Sequence, residues 1–225
     1  MHTMPIETTH IHGLFDFPDV HVLSAAVSDA EIAYLSPLEA ACVASAVNKR
    51  RREFATGRSL ARYSLDFHFG IRNFDLVKAD DRAPIWPPGI AGSLSHSDTQ
   101  AWIALADSSR VSVGIDGEDR TVLEPALWPM VLTDPEVEYL HSLEPRQRNR
   151  HGLILFSAKE SLFKAQYPRT GQFLGFKAVQ VRLFASGCIH YVFQEPVGPF
   201  QAGDVSHGRW RDDGRVLTSA WIPAA

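Results

Sequence analysis

Val111-Ser112-Val113-Gly114-Ile115-Asp116-Gly117-Glu118 is an apolar run that ends in two carboxylates. It reads as the end of a strand. Strand side chains alternate, so Asp116 and Glu118 share a face, and Gly117 between them adds no bulk. Further along stands Phe156-Ser157-Ala158-Lys159-Glu160-Ser161-Leu162-Phe163-Lys164, which reads as helix. Glu160 and Lys164 are four apart and therefore neighbours on one helix face. Two carboxylates on a strand and one on a helix can converge on a hard cation. Mg2+ suits such a site because it takes oxygen ligands, keeps several waters and shares substrate phosphates; Mn2+ stays open. Lys159 and Lys164 beside it would neutralise those phosphates. The chemistry suggested is attack on a phosphoanhydride. Taken alone, an acidic strand pair is more often a solvated face, and Lys-Glu-x-x-x-Lys an exposed, salt-bridged helix. Context argues otherwise: both motifs border apolar runs, the second being Leu153-Ile154-Leu155-Phe156.

Working outward, 225 residues allow one large domain or two modules of about a hundred residues each. A 45% apolar content supports a substantial core, and a net charge of −4 argues against generic nucleic-acid binding. No apolar stretch approaches the roughly 18 residues that span a membrane. No signal peptide is evident at the N-terminus. Cys42 and Cys188 form no Cys-x-x-Cys pattern and read as free thiols, so the expected location is the cytoplasm.

The N-terminal stretch to about residue 19 reads as a loosely held arm; of His2, His10, His12 and nearby His21, the pair His10 and His12 is a weaker candidate for metal. His21 to Val27 reads as a strand. Ser36-Pro37-Leu38-Glu39 opens a helix with a capping box, expected to run to about Ala46. A second helix runs from about Arg50 to Phe69 and stops at Gly70. Arg51, Arg58 and Arg62 fall on one stripe of it, with Arg50 beside them; a solvated face and an anion site are equally good readings. Residues 70–92 are turn-rich and carry Lys78, Asp80, Asp81 and Arg82. Gly92-Ser93-Leu94-Ser95-His96-Ser97 puts a histidine between hydroxyls, suited to a phosphate contact, before the strand Trp102–Leu105. Asp107 to Arg110 reads as a turn linking two halves. Thr133-Asp134-Pro135-Glu136 opens another helix, residues 151 to about 166 a third, and strands follow at about 177–184, 188–194 and 216–222, with Asp213-Gly214 as a hairpin turn.

In this order the motifs resemble the 4′-phosphopantetheinyl transferases. Val113–Glu118 and Phe156–Lys164 are similar to that family's two signatures. Arg50-Arg51-Arg52-Glu53-Phe54 through Gly57-Arg58, Trp86-Pro87 and Gly92–His96 resemble its siderophore-synthase and mycobacterial-type members, and Gly208-Arg209-Trp210 and Thr218-Ser219-Ala220 fit too. The resemblance implies an α+β fold of two similar halves, residues 1–109 and 110–225, related by a pseudo-twofold axis with coenzyme A in the cleft between them. It implies Mg2+-dependent transfer of the phosphopantetheine arm of coenzyme A to a serine of an apo acyl or peptidyl carrier protein. Adenosine 3′,5′-bisphosphate is released. Siderophore or peptide synthetases, polyketide synthases and fatty-acid synthase all stay open as the source of the carrier, and a monomer is expected.

By the same resemblance Asp116, Glu118 and Glu160 are metal ligands, Glu160 doubling as base for the carrier serine. Lys159 and Lys164 stabilise phosphate. Arg50, Arg58, Ser95 and His96 grip coenzyme A together with Asp116 and Lys164, and Lys78 to Arg82 forms the adenine loop. Gly117 departs from the bulkier residue usual between the two acids, so water would take a ligand position some relatives fill there. Phe156, Phe163, Phe173 and Leu174 are candidates for a pantetheine groove, though aromatics near a helix are more often core. The rival readings are a Mg2+-dependent pyrophosphohydrolase acting on coenzyme A or a nucleotide, and a non-catalytic binding module.

Overall fold

The computed structural model describes residues 6–224, so His2 lies outside the described residues. The fold is α+β, built on two antiparallel sheets. In the first, β1 (Thr9–His10), β2 (His21–Ala26), β3 (Ile90–His96) and β4 (Gln100–Asp107) lie in the order β1-β2-β4-β3. Between β2 and β3 come α1 (Pro37–Ala41) and α2 (Asn48–Phe69). The second sheet contains β5 (Val111–Glu118), β6 (Val179–Leu183), β7 (Cys188–Phe193), β8 (Val205–Asp212) and β9 (Val216–Pro223) in the order β5-β9-β8-β7-β6. It is preceded in part by α3 (Trp128–Val131), α4 (Asp134–Ser142) and α5 (Pro145–Thr170).

β4 explains how the layers stack. Ala101, Ile103 and Leu105 face α2, where they join Leu60, Ala61 and Leu65. Trp102, Ala104 and Ala106 face the other way, onto Val111, Val113 and Ile115 of β5. A strand buried on both faces reads as an unbroken apolar run, as this one does. A third core lies between α5 and the second sheet, with Leu155, Leu162, Tyr191 and Phe193 in it.

Local signals set the ends. The capping box at Ser36 and Glu39 forms, with both reciprocal bonds present. α1 nevertheless stops at Ala41, where bonds to the third preceding carbonyl replace helical ones as far as Ala46. α2 ends on Gly70 at φ 66°, a left-handed cap that glycine adopts without Cβ strain. α5 begins at Pro145, before the expected 151. The strand β8 was not expected; Ser206, His207, Gly208 and Arg209 give it weak β-propensity, and the sheet imposes it.

The N-terminal arm is fastened rather than loose. β1 pairs with β2, Ile11 and Leu14 are buried between the sheets, and Asp16 pairs with Arg209 of β8. Arg62 leaves the cationic stripe: it binds Glu39, the Tyr34 carbonyl at 2.9 Å and Ser59 Oγ at 3.2 Å.

Candidate active site

Even-numbered residues of β5 face α5. Ser112 Oγ donates to the Ala165 carbonyl at 2.6 Å. A Cβ on Gly114 would lie 1.9 Å from the Ser161 carbonyl oxygen, so only glycine lets the helix backbone rest on the strand. That contact sets Ser157, Glu160 and Lys164 over Asp116. Odd-numbered residues face the inter-sheet core. A Cβ on Gly117 would meet the Trp102 ring at 2.5 Å, so position 117 opens away from the two acids and its glycine makes room for tryptophan.

Asp116 is buried and ties three elements together. Its Oδ1 accepts from Ser95 Oγ of β3 and from Lys164 Nζ of α5, each at 2.8 Å. Its Oδ2 accepts from Ser157 Oγ at 2.8 Å. Ser95 and Ser93 also accept from the backbone N–H groups of Gly117 and Ile115, at 3.2 and 3.0 Å, stitching β3 to β5 across the two sheets. Glu118, half-buried, is held by Arg120 through Nε at 2.9 Å and Nη2 at 2.5 Å. Glu160 has only like charges and Lys164 for company: burial pushes its carboxyl up, Lys164 pulls it down, and Asp116 and Glu118 push it up again. The oxygen donor set fits a hard divalent cation, and the repulsion that Asp116 and Glu118 exert on the Glu160 carboxylate is what such an ion would relieve. The expected three-way convergence is not formed, however. Among the described residues no three acidic, histidine or cysteine side chains meet as a metal cluster; Glu118 is engaged by the arginine fork instead.

Lys159 does not join Lys164. Successive helix residues sit about 100° apart around the axis, and Lys159 points into the protein. Its Nζ donates to Glu136 Oε2 at 2.7 Å and to the carbonyls of Val131 at 2.8 Å and Phe176 at 2.7 Å. All three ammonium donors are thereby used, which leaves none for a phosphate.

The cations of α2 gather beside the same end of β3, around His96. Arg58 is 7% exposed, lies over the Phe54 ring with its guanidinium carbon 3.9 Å from the centroid, and has a buried Nε without a partner. Burial lowers its pKa to about 10. Arg50 Nη1 contacts His96 Nε2, and Glu53 is within reach of both, its Oε2 3.7 Å from Arg50 Nη1 and 3.4 Å from His96 Nδ1. Burial, then Arg50 and Lys164, lower the His96 pKa to about 4, so its ring is neutral at pH 7. Lys78, at the rim, donates to the Cys42 carbonyl at 2.8 Å; Arg82, at φ 71°, turns the loop whose Asp81 accepts from Tyr167 of α5 at 2.7 Å. Of the proposed groove, Leu174 belongs to the core and Phe156 lies against Phe176, while Phe163 touches Tyr167 and the exposed Phe173.

The structure thus brings Asp116, Glu160, Lys164, Ser95 and His96 to one junction, with Arg50 and Arg58 beside them. Arg120, Ser157, Glu53 and Glu136 were not anticipated. Arg120 alone carried a signal, a cation two residues past Glu118.

A model of the "4′-phosphopantetheinyl transferase N-terminal domain" matches residues 38–106, and one of the "4′-phosphopantetheinyl transferase superfamily" matches residues 112–215. The chain is 36% identical over 202 residues to the 4′-phosphopantetheinyl transferase Svp of Streptomyces mobaraensis, covering 87% of this chain and 82% of that one. The chain belongs to the 4′-phosphopantetheinyl transferase superfamily. The transferase Npt of Nocardia iowensis is 34% identical over 199 residues, 81% of this chain and 87% of its own. Enterobactin synthase component D of Salmonella typhimurium is 38% identical over 126 residues, 54% of this chain and 50% of its own. This phosphopantetheinyl transferase is an enzyme that moves the phosphopantetheine arm of coenzyme A onto carrier proteins.

Proposed function

We propose that the transferase binds coenzyme A in a cleft between two halves, residues 1–109 and 110–225, related by a pseudo-twofold axis. In support, each sheet carries one long helix, α2 and α5, and the polar side chains meet where β3 runs beside β5. The 3′-phosphate rests against Arg50, Arg58 and His96, the adenine against the loop from Lys78 to Arg82, and the pyrophosphate beside Ser95, Asp116 and Lys164. The observation that carries this reading is Arg58: its guanidinium is buried, its Nε has no partner among the described residues, and the nearby Glu39 is already paired with Arg62. A charge so placed is costly unless a ligand supplies its partner.

Asp116, Glu118 and Glu160 would hold Mg2+, with Arg120 swinging off Glu118 to release it. The bound ion supplies charge neutralisation at the anhydride. Glu160 takes the proton from the carrier serine hydroxyl, and burial has raised its pKa toward that of a working base. The serine oxygen bonds to the phosphorus that bears pantetheine, the anhydride P–O bond breaks, and adenosine 3′,5′-bisphosphate leaves. Lys164 neutralises charge on the departing phosphate. Lys159 takes no part and instead fixes α5 through Glu136. The stacked Phe163 and Tyr167, with Phe173, offer the pantetheine arm an apolar shelf. The enzyme acts as a monomer in the cytoplasm, a reducing compartment that suits its unpaired Cys42 and Cys188.

Incubation with coenzyme A, Mg2+ and apo carriers from siderophore, peptide and polyketide systems tests this. A carrier mass gain of one phosphopantetheine is expected. Cleavage of coenzyme A without carrier would mark a pyrophosphohydrolase, and no turnover a binding module.

A further inference from the structure

Glu53 is a carboxylate set among cations, and nothing above uses it. Its side chain is 7% exposed, and the groups within reach of its Oε2 are Arg50 Nη1 at 3.7 Å and His96 Nδ1 at 3.4 Å. An anion site gains nothing from a carboxylate as such, because like charges at this range repel. A buried carboxylate also costs free energy unless cations or donors face it. Its value lies in what it does to its neighbours. Arg58 is already fixed by the Phe54 ring. Arg50, by contrast, is a long side chain, 48% exposed, on the first turn of α2, a turn that contains no acidic residue and no side-chain cap. Unheld, it would sample many rotamers and be pushed outward by the neighbouring arginines.

We propose that Glu53 is a positioning residue that holds the Arg50 guanidinium and the His96 ring in place for the 3′-phosphate, and so sets the preference for 3′-phosphorylated coenzyme A. The carboxylate lies on α2 one helical turn from Arg50, and the same oxygen faces Arg50 Nη1 and His96 Nδ1. Its charge also offsets the mutual repulsion of Arg50 and Arg58. This inference rests on the reading of Arg50, Arg58 and His96 as the 3′-phosphate contacts.

The test compares coenzyme A with 3′-dephospho-coenzyme A as donor, in wild type, Glu53→Gln, Arg50→Ala and the double variant. The glutamine keeps the volume and the hydrogen-bonding atoms and removes the charge. Freeing one long side chain should raise KM for coenzyme A about three- to tenfold, with kcat held and no comparable change for the dephospho donor. Added to Arg50→Ala, the same substitution should have a smaller effect than it has alone, because only the hold on His96 is then left to lose. Equal losses with both donors, or no loss with either, overturn the proposal. Wild type that fails to distinguish the two donors overturns the 3′-phosphate reading instead. Should Glu53→Gln not fold, Glu53→Asp carries the same comparison, since it keeps the buried charge and withdraws it by one methylene.

Discussion

Lys164 Nζ meets Asp116 Oδ1 at 2.8 Å, and the same oxygen accepts from Ser95 of the other sheet. One carboxylate therefore fastens α5, β5 and β3 together. Rigid elements on three sides give the site its precision, while Glu160, four residues before Lys164, is left without a hydrogen-bond donor. Structure and reactivity are divided between two acids: Asp116 is fully hydrogen-bonded, while Glu160 is partly exposed and makes no side-chain hydrogen bond among the described residues.

Glu160→Gln should abolish carrier modification and leave the fold intact. Removing a buried charge from beside two like charges should also raise the melting temperature of the ligand-free protein at neutral pH. The joint shift given by Mg2+ with coenzyme A should shrink at the same time, because less of the ligand's binding free energy is linked to folding. Carrier mass spectra and melting curves read both effects. Near-normal turnover would remove Glu160 from the mechanism.

Lys159→Met should act on stability and not on coenzyme A. Breaking a buried ion pair typically costs about 3–5 kcal/mol. For a chain of this size that corresponds to a fall in Tm of roughly 6–20 °C. Below the transition, KM for coenzyme A should stay near wild type. A large rise in KM with unchanged Tm would return Lys159 to the phosphate site.

The residues that were legible in the sequence act through local rules. Asp116 and Glu118 alternate on a strand, Glu160 and Lys164 are one helical turn apart, and Ser36 with Gly70 marks helix ends by their own chemistry. Lys159 was misjudged because its partners, Glu136, Val131 and Phe176, come from elements that no periodicity relates to α5. The hold of Arg120 on Glu118 depends on how the chain turns after β5, and the fastening of the N-terminal arm depends on Arg209 and Ser219, near the other end of the chain. β8 was hidden because glycine and polar residues fill it; Gly208 is required where Tyr191 and the Ser219 carbonyl press on the backbone.

A histidine cluster formed by the arm, β2 and α2 makes stability pH-dependent. His21 stacks on His68 with centroids 3.8 Å apart, and His10 approaches His68 at 5.8 Å. Burial, then His21 and His10, lower the His68 pKa from the ordinary 6.5 to about 4; burial and His10 lower that of His21. The unfolded chain therefore binds more protons between these values, and stability falls as pH drops through that window. His68→Phe keeps a ring against His21 and removes one titrating group. Its Tm should match wild type near pH 7.5 and exceed it near pH 5, where the unfolded histidine would otherwise gain a proton. Parallel Tm profiles for the two proteins would show that the stack does not set the pH dependence.

Arg58→Ala bears most directly on donor recognition. The guanidinium is buried over the Phe54 ring and forms no ion pair among the described residues, so the free protein should lose stability mainly through the lost ring contact. A charge-assisted contact contributes roughly 1.5–3 kcal/mol. At about 1.4 kcal/mol per tenfold, coenzyme A binding should weaken some ten- to a hundredfold. The loss should fall in KM more than in kcat, because the 3′-phosphate is remote from the breaking anhydride and is held alike in ground and transition states. Wild type should prefer coenzyme A to its 3′-dephospho form, and Arg58→Ala should lose most of that preference, a larger change than Glu53→Gln produces because the contact itself is gone. If Arg58→Ala keeps full discrimination, the buried guanidinium serves Phe54 and the helix alone, and the 3′-phosphate must be read elsewhere.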